Sequence, residues 1–194
     1  MLDRVIVSTD SPEIADVARL YGAEVPFLRP AELAQDDTPG IAAVLHAAQW
    51  LADNEGYHPD MIMLLQPTSP LRIPEDIDRA IELIREKSAD AIVSVTPAEA
   101  HPYWMKQIDG AGRITDFIKV DQPIYRRQDL PEVYVLNGAI YLARYEVLVE
   151  HKTFYTDNTF SLVMPMERSL DIDTPWDLYL ADLILKDRLG HEVT

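Results

Sequence analysis

The sequence predicts an α/β fold, a three-layer, doubly wound and mainly parallel sheet. Short apolar runs at residues 5–7, 61–65 and 91–95 alternate with helical periodicities that begin near Pro12, Pro39 and Pro74. The run 61–65 is apolar without interruption, as in a strand buried on both faces of a covered parallel sheet. Polar residues gather just after the strand-like runs, where sheets of this class bind their ligands.

Taken in order, Val5-Ile6-Val7 is a strand leading into Ser8-Thr9-Asp10. Ser11 caps a helix that opens with Pro12, carries Ile14, Val17, Ala18 and Tyr21 on one face and stops at Gly22. A short strand over 24–27 follows, then Arg29-Pro30 and an acidic loop. Asp37-Thr38-Pro39 opens a second helix, with Ile41, Val44, Leu45, Ala48 and Leu51 as its apolar side. After the strand at 61–65 comes Gln66-Pro67-Thr68-Ser69-Pro70-Leu71-Arg72, a loop fixed by its prolines. The third helix begins near Pro74 and buries Ile77, Ala80, Ile81 and Ile84.

The alternation breaks over residues 96–131, where Asp109-Gly110-Ala111-Gly112 separates two strand-like runs and marks an inserted hairpin. Tyr103, Trp104, Phe117, Ile118 and Tyr125 load this excursion with more apolar surface than one hairpin buries. A partner subunit is the expected cover, a homodimer being the commonest symmetric assembly; packing back onto the same chain is the alternative. Residues 137–143 return to the sheet, 145–150 form a short helix and 160–164 a strand. The final helix, 175–188, shows a broad apolar face that includes Trp176, Leu178, Tyr179, Leu183 and Ile184, which must dock on something.

The 194 residues, 47% of them hydrophobic, suffice for one domain with a sizeable core. The absence of cysteine excludes disulfides, thiolate metal sites and cysteine nucleophiles, and fits a reducing cytoplasm. No apolar run approaches the ~18 residues of a membrane span. A formal net charge of −16 argues against nucleic acid or an anionic membrane as partner, while leaving room for small anions held by local arginines and a metal.

The chemistry is expected at Ser169-Leu170-Asp171-Ile172-Asp173-Thr174-Pro175-Trp176-Asp177. If residues 170–173 end a strand, alternation puts Asp171 and Asp173 on one face and Leu170 and Ile172 on the other. Two carboxylates converging in this way suit Mg2+, which favours few carboxylates together with phosphate oxygens. Thr174 reads as a helix N-cap, Pro175 as the first helical residue and Asp177 as the carboxylate returning a hydrogen bond. The plainer alternative is that the aspartates only end a strand and cap a helix. In the Gln66–Arg72 loop, Gln66 and Arg72 offer donors and Thr68 and Ser69 hydroxyls suited to a carboxylate or phosphate; a rigid connector is the alternative. None of the histidines, at 46, 58, 101, 151 and 191, has paired metal spacing, and serine-hydrolase, P-loop and dinucleotide fingerprints are missing.

These strings, with Asp3-Arg4-Val5-Ile6-Val7-Ser8-Thr9-Asp10, Phe27-Leu28-Arg29-Pro30-Ala31-Glu32-Leu33-Ala34 and Asn137-Gly138-Ala139-Ile140-Tyr141, resemble the CMP-sialic acid synthetases, or acylneuraminate cytidylyltransferases. The resemblance spans nearly the whole chain. It implies a nucleotide-diphospho-sugar transferase-like domain over 1–194 with 97–131 as an inserted dimerisation subdomain, joining CTP to an acidic nine-carbon sugar with Mg2+ as cofactor. By the same resemblance Asp171 and Asp173 hold the metal. Arg29, with Thr9 and Asp10, lies on the nucleotide side. Gln66, Ser69, Arg72, Arg127, Asn137, Tyr141, Phe154 and Tyr155 lie on the sugar side. Family members begin with a strand and a basic glycine loop, ~30 residues with the crossover helix, which this sequence does not show before Met1-Leu2-Asp3-Arg4. Weak CTP binding and poor turnover by the chain alone are therefore expected. Two other readings compete: a nucleotide-sugar glycosyltransferase using the two aspartates, and a non-catalytic binding subunit.

Overall fold

The computed structural model describes residues 2–119 and 125–191. Its central sheet contains β1 (Met61–Leu64), β2 (Ala91–Pro97), β5 (Tyr134–Arg144) and β6 (Thr159–Val163) in the spatial order β1-β5-β2-β6. β5 runs antiparallel to β1, in register from Met61↔Arg144 to Leu64↔Tyr141. Bonds from Arg144 N–H to Asp90 C=O and from Ala98 N–H to Val133 C=O make β5 antiparallel to β2 as well. Those from Asp90 N–H to Asn158 C=O and from Met164 N–H to Val95 C=O make β6 parallel to β2. Three strands thus share one direction and β5 opposes them, which keeps the sheet mostly parallel.

The reading of 61–65 as a parallel strand buried on both faces is corrected. β1 is only half-buried and its partner is antiparallel. It lies at the end of the strand order, where fewer neighbours cover it, and an apolar run alone does not distinguish strand direction. The strands expected at 5–7 and 24–27 reduce to a single parallel bridge between Ile6 and Glu24.

By internal packing the chain forms two compact units, residues 1–65, 74–93 and 140–160, and residues 66–73, 94–139 and 161–194. The first holds α1 (Pro12–Leu20), α2 (Gly40–Glu55), α3 (Pro74–Glu86) and α4 (Tyr145–His151). Ser11 caps α1, its Oγ accepting from Ile14 N–H at 3.2 Å, and Gly56, in the left-handed conformation at φ 65°, ends α2. Ala91, Val93, Ala143, Leu148 and Phe154 form a core against which Ile41, Val44, Leu45, Ile62 and Leu64 pack. Full burial of such side chains contributes about 1.5–3 kcal/mol each for the larger ones. α1 departs from expectation: only Ala15 is buried, and Ile14, Val17 and Tyr21 are exposed.

The second unit holds the hairpin of β3 (Lys106–Ile108) and β4 (Ile114–Asp116), and α5 (Pro175–His191). Asp109 shapes the hairpin turn by accepting from the N–H groups of Ala111 and Arg113, and these bonds hold its carboxyl below the usual range. The cap on α5 forms as the sequence predicts. Asp177 Oδ2 accepts from Thr174 N–H at 2.8 Å and from the Thr174 hydroxyl at 2.7 Å, while Thr174 Oγ1 accepts from Asp177 N–H at 3.3 Å. The Thr174 hydroxyl is the main cause holding the Asp177 carboxyl below its usual range. A group depressed on folding contributes stability present above its unfolded pKa and lost as pH falls through its folded one. Acid should therefore loosen the start of α5. Thr174→Ala should cost about 0.5–2 kcal/mol by thermal melting at neutral pH, and much less under acid that has already discharged Asp177. An equal loss at both pH values would remove the reciprocal cap.

Candidate active site

The loop following β1 is tied to β5 at several points. Ser69 is fully buried and donates to Asn137 C=O at 2.9 Å. Arg72 donates through Nε to Ala139 C=O at 3.0 Å and through Nη2 to Gln66 C=O. Burial lowers the Arg72 guanidinium from its usual value, though not enough for an arginine to lose its charge. Arg72 therefore clamps the loop, and its forked donors serve backbone carbonyls, which accounts for its inward position better than a free anion site does.

Gly138 makes this approach possible. Its φ is +69°, and a Cβ there would lie 2.4 Å from Gln66 Oε1 and 2.8 Å from Ser69 Oγ. The bare backbone thus forms one wall for the Gln66 carboxamide. Sequence reading named Asn137 and passed over Gly138; an isolated glycine in a strand pattern, which marks close backbone approach, was the available signal.

The segment carrying Asp171 and Asp173 is not a strand end. β6 stops at Val163, a 3-10 turn spans Met166–Arg168, and residues 169–173 are irregular. The cause is local: Ser169 N–H closes the turn onto Met166 C=O at 3.0 Å, and Ile172 N–H bonds Thr68 C=O at 2.8 Å. That bond draws the segment against the loop without a ladder. Asp171 is half-buried and its Oδ1 is a buried oxygen with no hydrogen-bond partner among the described residues. Asp173 is exposed, and among the described residues its carboxylate has neither a hydrogen bond nor an ion pair. No group of three or more metal-ligating side chains occurs among the described residues. An orphaned carboxylate oxygen with a second carboxylate two residues on, without a partner among the described residues, nevertheless fits Mg2+, which takes few protein ligands and completes its shell with water and phosphate.

Asn137 is 2% exposed and is held on every polar atom of its amide. Its Oδ1 accepts from the Ser94 hydroxyl at 2.6 Å and from Ala139 N–H at 3.3 Å. Its Nδ2 donates to Ser169 Oγ at 2.9 Å. Asn137 and Ser69 thus build the framework, and their burial leaves no polar atom facing a sugar.

The remaining predicted residues fall into separate groups. Arg29 donates through Nε to Ser8 Oγ at 3.1 Å and through Nη2 to Ser8 C=O, while its N–H bonds Thr9 C=O at 2.8 Å. Thr9 is buried and its hydroxyl oxygen accepts from Ser11 N–H, whereas Asp10 is exposed. Tyr141 and Phe154 have ring centroids 5.6 Å apart. Phe154 is a core residue, so its part is to support Tyr141. Tyr155 is exposed; partial burial pushes its phenol up, with a hydrogen bond to Tyr141 opposing. Arg127 stands on a 3-10 turn, exposed, beside His101, Trp104 and Tyr134 in a cleft of about 200 Å³. It forms no ion pair among the described residues, the neighbouring pair being Arg126 with Asp129.

A family profile described as cytidylyltransferase matches residues 1–183. The chain is 38% identical over 186 residues to CMP-N,N'-diacetyllegionaminic acid synthase of Legionella pneumophila, covering 95% of this chain and 78% of that one. It is 33% identical over 170 residues to N-acylneuraminate cytidylyltransferase of Streptococcus agalactiae, covering 88% of this chain and only 40% of that longer protein. In fold it is similar to CMP:2-keto-3-deoxy-manno-octonic acid synthetase, a structure complexed with CTP, with TM-score 0.66, 16% identity and coverage of 96% and 82% of the two chains. The profile spans nearly the whole sequence, and the chain belongs to the cytidylyltransferase family.

Proposed function

We propose that this chain is a magnesium-dependent cytidylyltransferase that transfers CMP from CTP to a sialic-acid-like nonulosonic acid and releases pyrophosphate. The observation that carries the reading is the Ile172-to-Thr68 bond, which sets the two aspartates beside the loop that presents Gln66. In the reaction the anomeric oxygen of the sugar forms a bond to the α-phosphorus. The bond from that phosphorus to the bridging oxygen breaks, pyrophosphate leaves with the electron pair, and the hydroxyl proton passes to solvent. Asp171 and Asp173 would hold Mg2+, which draws charge from the phosphate oxygens when bound. Gln66, with the bare backbone of Gly138 as one wall, orients the acceptor. Arg127, which forms no ion pair among the described residues, offers a cation to the sugar's carboxylate, and Arg29 is assigned to the nucleotide.

Calorimetric titration with nucleotides in Mg2+ tests this reading. CTP should bind in preference to UDP-sugars and CMP-sugars, and N,N'-diacetyllegionaminic acid is the first acceptor to try, given the Legionella relative. Preference for a nucleotide-sugar over CTP would favour a glycosyltransferase instead.

The reading includes a homodimer formed through the inserted hairpin. Ile108, Ile114, Phe117 and Tyr125 are each more than half exposed on the single chain, and residues 120–124 of the predicted excursion lie outside the described set. Such a patch marks an interface. Sedimentation should give a dimer at micromolar concentration, and Phe117→Glu should give a monomer. A parent that sediments as a monomer would remove this assembly. The reading also places the protein in the cytoplasm. That is supported by the lack of cysteine and by the absence, among the described residues, of any helix long and apolar enough to cross a membrane.

A further inference from the structure

We infer that Asn137 is a positioning residue whose buried carboxamide fixes the Asp171–Asp173 segment against the Gln66–Arg72 loop; the inference rests on the metal site proposed above. The loop and the segment are remote in sequence and irregular in backbone, so neither has a ladder to hold its register. Asn137 bonds both. Its backbone C=O accepts from Ser69 of the loop at 2.9 Å, and its Nδ2 donates to Ser169, two residues before Asp171, at 2.9 Å. The amide cannot turn over, because Oδ1 is held by the Ser94 hydroxyl at 2.6 Å and Ala139 N–H at 3.3 Å. Ser169 in turn donates to Pro165 C=O at 2.8 Å, so its hydroxyl has one orientation that completes both bonds.

A carboxylate that ligates a small, hard cation depends on such outer partners for its placement. Their loss typically lowers metal affinity about 10–100-fold. Replacing Asn137 by alanine removes the amide that joins the Ser94 and Ser169 hydroxyls and frees the turn that leads into Asp171. Replacing Ser169 by alanine removes only the receiving hydroxyl. The two changes break one connection, so their effects should not add.

Mn2+ titration of the parent, Asn137→Ala, Ser169→Ala and the double variant tests this, with thermal melting on the same samples. The expected result is Mn2+ affinity at least about tenfold weaker in each single variant, and a double variant within a factor of about two of the weaker single. Affinity within about twofold of the parent in folded Asn137→Ala, even with a lower Tm, would make the residue structural only and overturn the inference. If Asn137→Ala does not fold, Ser169→Ala is judged by the same limits. Should Asp171→Asn leave the Mn2+ affinity of the parent unchanged, it is the proposed metal site that fails. Hydrogen exchange of the Ile172 amide, bonded to Thr68, then decides the positioning role. Exchange about tenfold faster in the variant upholds it, and unchanged exchange overturns it.

Discussion

Asp171→Asn and Asp173→Asn should each lower pyrophosphate release by about 10³-fold or more at saturating Mg2+, with melting temperature unchanged or slightly raised. The two halves of that expectation come from different observations. Removing a charged ligand withdraws several kcal/mol, roughly, of charge stabilisation from the phosphoryl transfer, and each 1.4 kcal/mol or so is tenfold in rate. The fold, however, does not depend on either charge. Among the described residues Asp171 Oδ1 is buried without a partner, so folding desolvates it with no compensating bond there, and Asp173 is exposed with a carboxylate that has no partner among them. Asparagine keeps the shape and lightens the burial. Asp177→Asn supplies the contrast, because Asp177 closes the α5 cap; it should loosen that helix start and leave turnover nearly intact. Activity of both variants within about twofold of the parent at saturating Mg2+ would take the aspartates out of the mechanism.

The elements themselves were largely legible because their signals are local. Ser11 and Pro12, Pro74, and Thr174 with Asp177 start helices where the structure has them. The turn at Asp109 to Gly112 closes a hairpin, as its composition says. Strand direction was less legible, since β5 lies between β1 and β2 through long-range pairing that no local pattern encodes. The aspartates are proposed from type and spacing, and the strand reasoned around them is an irregular segment held by Ile172 on Thr68. Asn137, Ser69 and Phe154 were read as sugar contacts because a polar or aromatic residue in a motif looks the same whether it faces ligand or core. Burial decides, and only the folded chain shows it.

Gly138→Ala should be the most damaging small substitution in the molecule away from the carboxylates. A side chain at φ +69° costs about 1–2 kcal/mol from the left-handed backbone alone. The added Cβ must then displace two oxygens, at 2.4 Å and 2.8 Å, which differ in freedom. Gln66 Oε1 ends a flexible side chain and can swing away. Ser69 Oγ is fully buried and bonded to Asn137 C=O, so moving it breaks that bond and leaves a buried carbonyl unsatisfied, a further loss of about 1–3 kcal/mol. A total near 3 kcal/mol, at roughly 2–4 °C per kcal/mol for a chain of this size, lowers Tm by about 6–12 °C. Two assays separate the contacts. Gln66→Ala in the Gly138→Ala background should recover little stability, because the glutamine had already moved, and the sugar KM should be raised to a similar degree by Gly138→Ala and by Gln66→Ala, with kcat much less affected. A Gly138→Ala protein that melts within about 2 °C of the parent and keeps its sugar KM would mean that the close approach of β5 to Gln66 is not what shapes the acceptor side of the site.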